Sequence, residues 1–151
     1  MKPLLVLITT FLITLLVMKI SGNKINYQLA GKISLSAMLL FTALGHFIFP
    51  TGMSKMLPPF VPYRLFLIYF TGVLEFVFAI TLLHPKLSHP TAWALLLFFL
   101  LLLPANIYAS SIQLNYQTGN LNGKGLAYLW FRIPLQVLFM LWVYLSALFE
   151  K

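Results

Sequence analysis

Residues 65–83 read LFLIYFTGVLEFVFAITLL, an apolar run with one charged side chain, Glu75. A helix of that length rises about 1.5 Å per residue and comes close to the ~30 Å hydrocarbon core of a bilayer. A carboxylate in such a segment costs roughly 2.5–3.5 kcal/mol on insertion scales, so Glu75 has to be protonated, paired or close to water. It is one of only two acids in the 151-residue chain. A matching cation, Arg132, stands in a second apolar stretch at 126–149 and is the expected partner. This reading predicts an all-α membrane protein with a polar site inside it.

Composition agrees. The chain is 61% hydrophobic and 8% charged, with a mean hydropathy of +0.95, whereas a soluble domain has about a quarter of its residues charged. One polytopic membrane domain over 1–151 accounts for all of it. The net charge of +8 comes without a basic stripe, a helix-turn-helix pattern or a zinc finger, so nucleic acid is not an expected partner. Basic residues at segment ends instead meet anionic headgroups. The sequence has no cysteine, which removes disulfides, Cys-x-x-Cys redox pairs and thiolate metal sites.

Working outward, five apolar segments predict five crossings, near 3–20, 33–49, 63–84, 91–113 and 126–149. The first is preceded by Lys2 and followed by Lys19-Ile20-Ser21-Gly22-Asn23. No A-x-A-like site is present there, so it reads as a retained helix rather than a cleaved signal. The breaks at 19–32, 50–62, 84–90 and 115–125 are polar or rich in Pro and Gly. Lys19, Lys24, Lys32, Lys86 and Lys151 fall on one side, and Lys2, Lys55, Arg64 and Lys124 on the other. The positive-inside rule then places the C-terminus in the cytoplasm and the N-terminus outside, in a bacterial-type inner membrane.

The break at 50–62 carries Pro50, Pro58, Pro59 and Pro62 together with Met53, Met56, Leu57, Phe60 and Val61. Prolines remove donors and fix the backbone, while the apolar side chains leave water. The segment is either an interfacial connection or a lid, with Met56, Leu57, Pro58, Pro59 and Phe60 as its closing residues.

The polar residues of the apolar segments converge in depth. Gly72, Glu75 and Ala79 share one helical face. Tyr128, Arg132, Gln136, Met140 and Tyr144 form an i, i+4 row, and Asn106 and Ser110 another. Arg132 and Asn106 lie about 10 Å from their outer helix ends, Glu75 roughly 15–20 Å deep, and His46 near the rim. His46, Asn106, Arg132 and Gln136 can thus line an outer-half cavity with Glu75 at its floor. Pro104 and Pro134 each leave a carbonyl without its helical donor, at Leu100 and Trp130. Arg132 or Asn106 can satisfy it, so the same residues also read as structural partners of interrupted helices.

Other constellations are weaker. His84 and His89 flank a Pro-Lys turn at a spacing that suits no metal, and further ligands are lacking. Ser110-Ser111 has no companion base. His46 alone offers no axial pair for a haem. The tryptophans and tyrosines fit interfacial belts.

Gly45-His46-Phe47, the loop with Pro58-Pro59 and Pro62, Gly72-x-x-Glu75, Pro104-Ala105-Asn106 and Arg132-x-Pro134-x-Gln136 together resemble the DoxX-like membrane proteins over about residues 35–145. The resemblance implies a four-helix membrane core, to which the first segment adds an N-terminal helix. The founding member resembles a small subunit of a thiosulfate:quinone oxidoreductase. Other relatives are implicated in membrane complexes of oxidative-stress response or in assembly of membrane proteins. The thiol-redox relatives use Cys pairs, which this chain lacks.

These readings lead to a non-catalytic membrane subunit or assembly partner whose cavity holds a lipid or a quinone. Membrane lipids and other membrane proteins are its expected partners. The rival is a redox component acting on the quinone pool, in which Glu75 exchanges the quinol proton and Arg132 or His46 binds a carbonyl oxygen or anion. A small transporter is a third class, disfavoured because no inverted repeat is visible.

Overall fold

Each of the five apolar segments becomes a helix long and apolar enough to cross a membrane. The computed structural model describes residues 2–22, 24–115, 117–123 and 125–149, without the side chains of 126–128. The order is α1 (Lys2–Ile20), α2 (Tyr27–Ile48), a short α3 (Pro50–Ser54), α4 (Arg64–Thr81), α5 (Ser88–Ser111) and α6 (Gly125–Val143). The last helix runs into a π-helical turn, Tyr144–Leu148. Lys124 and Lys151, which entered the charge balance, and the side chain of Tyr128 lie outside the described residues.

The second helix begins six residues before the predicted 33. Its start is set by a cap: Asn26 Oδ1 accepts the Leu29 N–H at 2.9 Å, satisfying one of the donors a helix start leaves over. Gln28 and Lys32, which lower the local hydropathy, therefore lie within the helix. The 50–62 break also differs from a plain connection. Pro50 enters α3 in its first turn, where a missing N–H costs nothing, and α3 packs on α4.

The central helix is α2, with α1 and α4 against it, while α6 and its π turn close another side and α5 packs on α6. Lipid tails are as apolar as leucine, so helix association here depends on close packing and interhelical hydrogen bonds. Both are present. Ser36 Oγ donates to the Ala79 carbonyl at 2.5 Å across the α2–α4 seam. Trp142 Nε1 donates to the Gly31 carbonyl at 3.3 Å, where Gly31 meets Ser146 so closely that a Cβ would lie 2.7 Å from the serine Cβ.

The core runs through Leu35, Met38, Leu39, Ala79, Leu82, Leu95, Phe98, Phe99 and Val143. The α4–α5 turn is pinned by Thr91 Oγ1 donating to Thr81 Oγ1 at 2.9 Å, and Phe78 meets Phe98 edge-on at 5.6 Å. Among the described residues no Cα of α4 comes within 8 Å of one of α6. Elsewhere large apolar side chains point outward, including Leu12, Leu16, Phe66, Phe70, Trp93, Leu101 and Leu141, as a lipid-facing surface requires. α1 buries only Leu7.

Candidate functional site

Two polar clusters stand on different seams of the bundle. The first joins α2 to α4. Gly72 allows the helices to meet, since a Cβ there would fall 2.7 Å from the His46 Cβ. His46, 8% exposed, places Nδ1 at 2.9 Å from the Ile68 carbonyl and 3.2 Å from Thr71 Oγ1. A carbonyl oxygen only accepts, so Nδ1 carries a proton in this arrangement. The other ring nitrogen, Nε2, lies 3.6 Å from Glu75 Oε1. One proton in that gap serves either a carboxylic acid facing a neutral imidazole or a carboxylate facing an imidazolium.

Glu75 is 4% exposed, and its second oxygen, Oε2, is buried without a hydrogen-bond partner among the described residues. A buried polar atom left unmatched costs about 1–3 kcal/mol, more when charged. Glu75 pairs with His46 and not, as the sequence led us to expect, with Arg132. The reason is depth. His46 meets Ile68 and Gly72 and so lies one to two turns inside α4. A residue expected at the rim therefore reaches the buried acid.

The second cluster joins α5 to α6. An Arg132 guanidinium N–H donates to Asn106 Oδ1 at 2.5 Å, Asn106 Nδ2 donates to Gln136 Oε1 at 3.4 Å, and Gln136 Nε2 donates to the Phe99 carbonyl. Donors and acceptors alternate correctly along the chain, and all three side chains are half-buried. Pro104 and Pro134 lie inside α5 and α6. The sequence assigned relief of interrupted backbone, at Leu100 and Trp130, to Arg132 or Asn106. In the structure Gln136 reaches a carbonyl, and it is that of Phe99, one residue before Leu100.

Thr71 was missed from sequence. It stands four residues before Glu75, and its hydroxyl donates to the Leu67 or Ile68 carbonyl at 2.9 or 3.0 Å. That i, i+4 relation to the acid was a visible signal. Of the lid residues, Met56, Leu57 and Pro58 are half-buried, while Pro59 is exposed and Phe60 is 84% exposed. Lys55 Nζ donates to the Gly119 carbonyl at 2.9 Å, tying this segment to the α5–α6 loop across the end of the bundle.

Residues 35–147 match a family described as Domain of unknown function (DUF8561). The chain belongs to that family. The DUF8561 match runs from within α2 into the π turn and includes every residue of both clusters, and it leaves α1 outside. No curated protein and no solved structure matches the chain.

Proposed function

We propose that this protein is a DoxX-like, non-catalytic subunit or assembly partner of a membrane complex, in a bacterial-type inner membrane, and that its outer half holds the head of a lipid or quinone. The observation that carries this reading is Glu75 Oε2, a buried oxygen without a partner among the described residues, in a helix of membrane-spanning length. An intramembrane carboxylate is retained for a reason, and a hydroxyl on an amphipathic ligand is a donor that enters from lipid. The two clusters stand on different seams, and the ligand would lie between them. Arg132, Asn106 and Gln136 then meet polar head atoms while the tail follows apolar helix faces. Met56, Leu57 and Pro58 cover that end.

One observation favours the redox rival. Once its shared proton has left, the His46–Glu75 pair can accept one of the two protons that a quinol gives up on oxidation. Native mass spectrometry of the gently extracted protein decides between these readings. A retained lipid or quinone that Arg132→Met and Glu75→Gln release supports the cavity. A bound quinone that is reduced and reoxidised on the protein supports the rival. A wild type with no ligand and no ligand-dependent stabilisation reduces the protein to a scaffold.

A further inference from the structure

A second polar feature lies outside both clusters. Where α3 and the connection after it meet the start of α4, a groove of about 690 Å³ is lined by Thr51, Ser54, Lys55, Tyr63, Arg64 and Phe66, among others. It brings two cations together, and among the described residues no carboxylate reaches them. The chain has little to offer: of its two acids, Glu75 is committed to His46. The counter-charge therefore comes from another molecule.

Position says which kind. Arg64 is the first residue of a membrane-length helix, so the groove sits at headgroup level. Tyr63 and Phe60 beside it are 83% and 84% exposed, the placement of aromatic side chains in an interfacial belt. The apolar wall continues along α4 into the lipid-facing ridge of Phe66 and Phe70, whose rings stack at 6.2 Å. A ligand with a phosphate at one end and a hydrocarbon chain at the other matches both halves.

We propose that this groove binds an anionic phospholipid, its phosphate between Lys55 and Arg64 and one acyl chain along Phe66 and Phe70. Arg64 supplies the planar donor pair that suits phosphate oxygens. Lys55 spends one N–H on the Gly119 carbonyl and keeps others for the lipid. Lipid bound here holds the 50–62 segment, α4 and the α5–α6 loop together at one end of the bundle. The site shares no residue with the Glu75 and Arg132 clusters and stands without the function proposed for them.

The test uses the full chain in a neutral detergent, with phosphatidylglycerol, chain-matched phosphatidylcholine and inorganic phosphate as probes. Thermal unfolding and retained mass are the readouts. Phosphatidylglycerol raises the unfolding temperature and stays bound, and phosphatidylcholine does neither. Arg64→Gln weakens phosphatidylglycerol binding about tenfold, the order expected for one charge-assisted contact. Arg64→Lys keeps most of it, and Lys86→Gln at the other end of the bundle leaves it unchanged. If Arg64→Gln does not fold, Thr51→Glu, which adds a carboxylate to the exposed groove wall and leaves both cations, must give the same loss. Equal stabilisation by the two lipids overturns the proposal. So does an equal effect of inorganic phosphate, which makes this a free-anion site, or a loss in Lys86→Gln as large as in Arg64→Gln.

Discussion

His46 Nε2 lies 3.6 Å from Glu75 Oε1, with the imidazole held from its other side by the Ile68 carbonyl at 2.9 Å. An acid that the bilayer makes expensive is thus matched by a ring whose orientation two neighbours on α4, Ile68 and Thr71, determine. The pair is a seam as well as a site, because its members stand on α2 and α4, which pack closely against each other.

Coupling between these two side chains is measurable. Removing one member of a buried pair can cost ~3–5 kcal/mol, while replacing both costs less. We expect Glu75→Gln and His46→Gln each to lower stability in detergent and the double change to recover ~0.5–3 kcal/mol of the sum. Glu75→Gln with Arg132→Met should instead add to within ~0.5 kcal/mol. Strict additivity in the first cycle, or coupling in the second, contradicts the geometry.

Gly72 sets how near α2 and α4 come. A methyl at Gly72 meets the His46 Cβ at 2.7 Å, a neighbour attached directly to backbone. Overpacking of that kind costs typically ~1–3 kcal/mol. Gly45, on α2 beside His46, is the control: its added Cβ meets only the Met53 Cε at 3.4 Å, the end of a flexible chain. Thermal unfolding should show Gly72→Ala well below wild type and Gly45→Ala close to it. Equal effects would mean that helix propensity, and not the seam, governs both positions.

Much of this was legible in the sequence, and the failures have physical causes. Hydropathy located five helices, since segment length against bilayer thickness is a strong constraint. It misplaced the start of α2 because Gln28 and Lys32 look like a break, whereas the decisive residue is the cap, Asn26. Spacing placed Arg132 with Gln136 and brought Asn106 beside them, because an i, i+4 row survives any packing. The partner of Glu75 was not legible. Choosing between His46 and Arg132 depends on how far α2 descends against α4, which no periodicity records.

The α5–α6 seam gives a third expectation. Gln136 is the donor for the Phe99 carbonyl in a helix that Pro104 interrupts. Gln136→Leu keeps the volume and deletes that side-chain donor to buried Phe99, a loss of about 0.5–1.5 kcal/mol. Gln136→Glu keeps an acceptor for Asn106 yet still removes the donor, so it should cost at least as much. Amide exchange around Phe99 should quicken in both. Unchanged protection there would show that the Phe99 carbonyl has another partner.

Orientation is a separate question, answered by two exposed residues. Ser21 follows α1 and Gln117 lies in the α5–α6 loop, and with helices alternating in direction these positions fall on opposite sides of a membrane. The lysines at 19, 24 and 32 place Ser21 in the cytoplasm by the positive-inside rule. The chain has no cysteine, so Ser21→Cys and Gln117→Cys each report without background. An impermeant maleimide applied to intact cells should label Gln117→Cys directly and Ser21→Cys only after permeabilisation. Thr51→Cys should follow Gln117, because Lys55 reaches the Gly119 carbonyl and puts both loops at one end. Labelling of Ser21→Cys from outside reverses the orientation and leaves the bundle standing. Thr51→Cys and Gln117→Cys responding from different sides would dismantle the alternation of the helices itself.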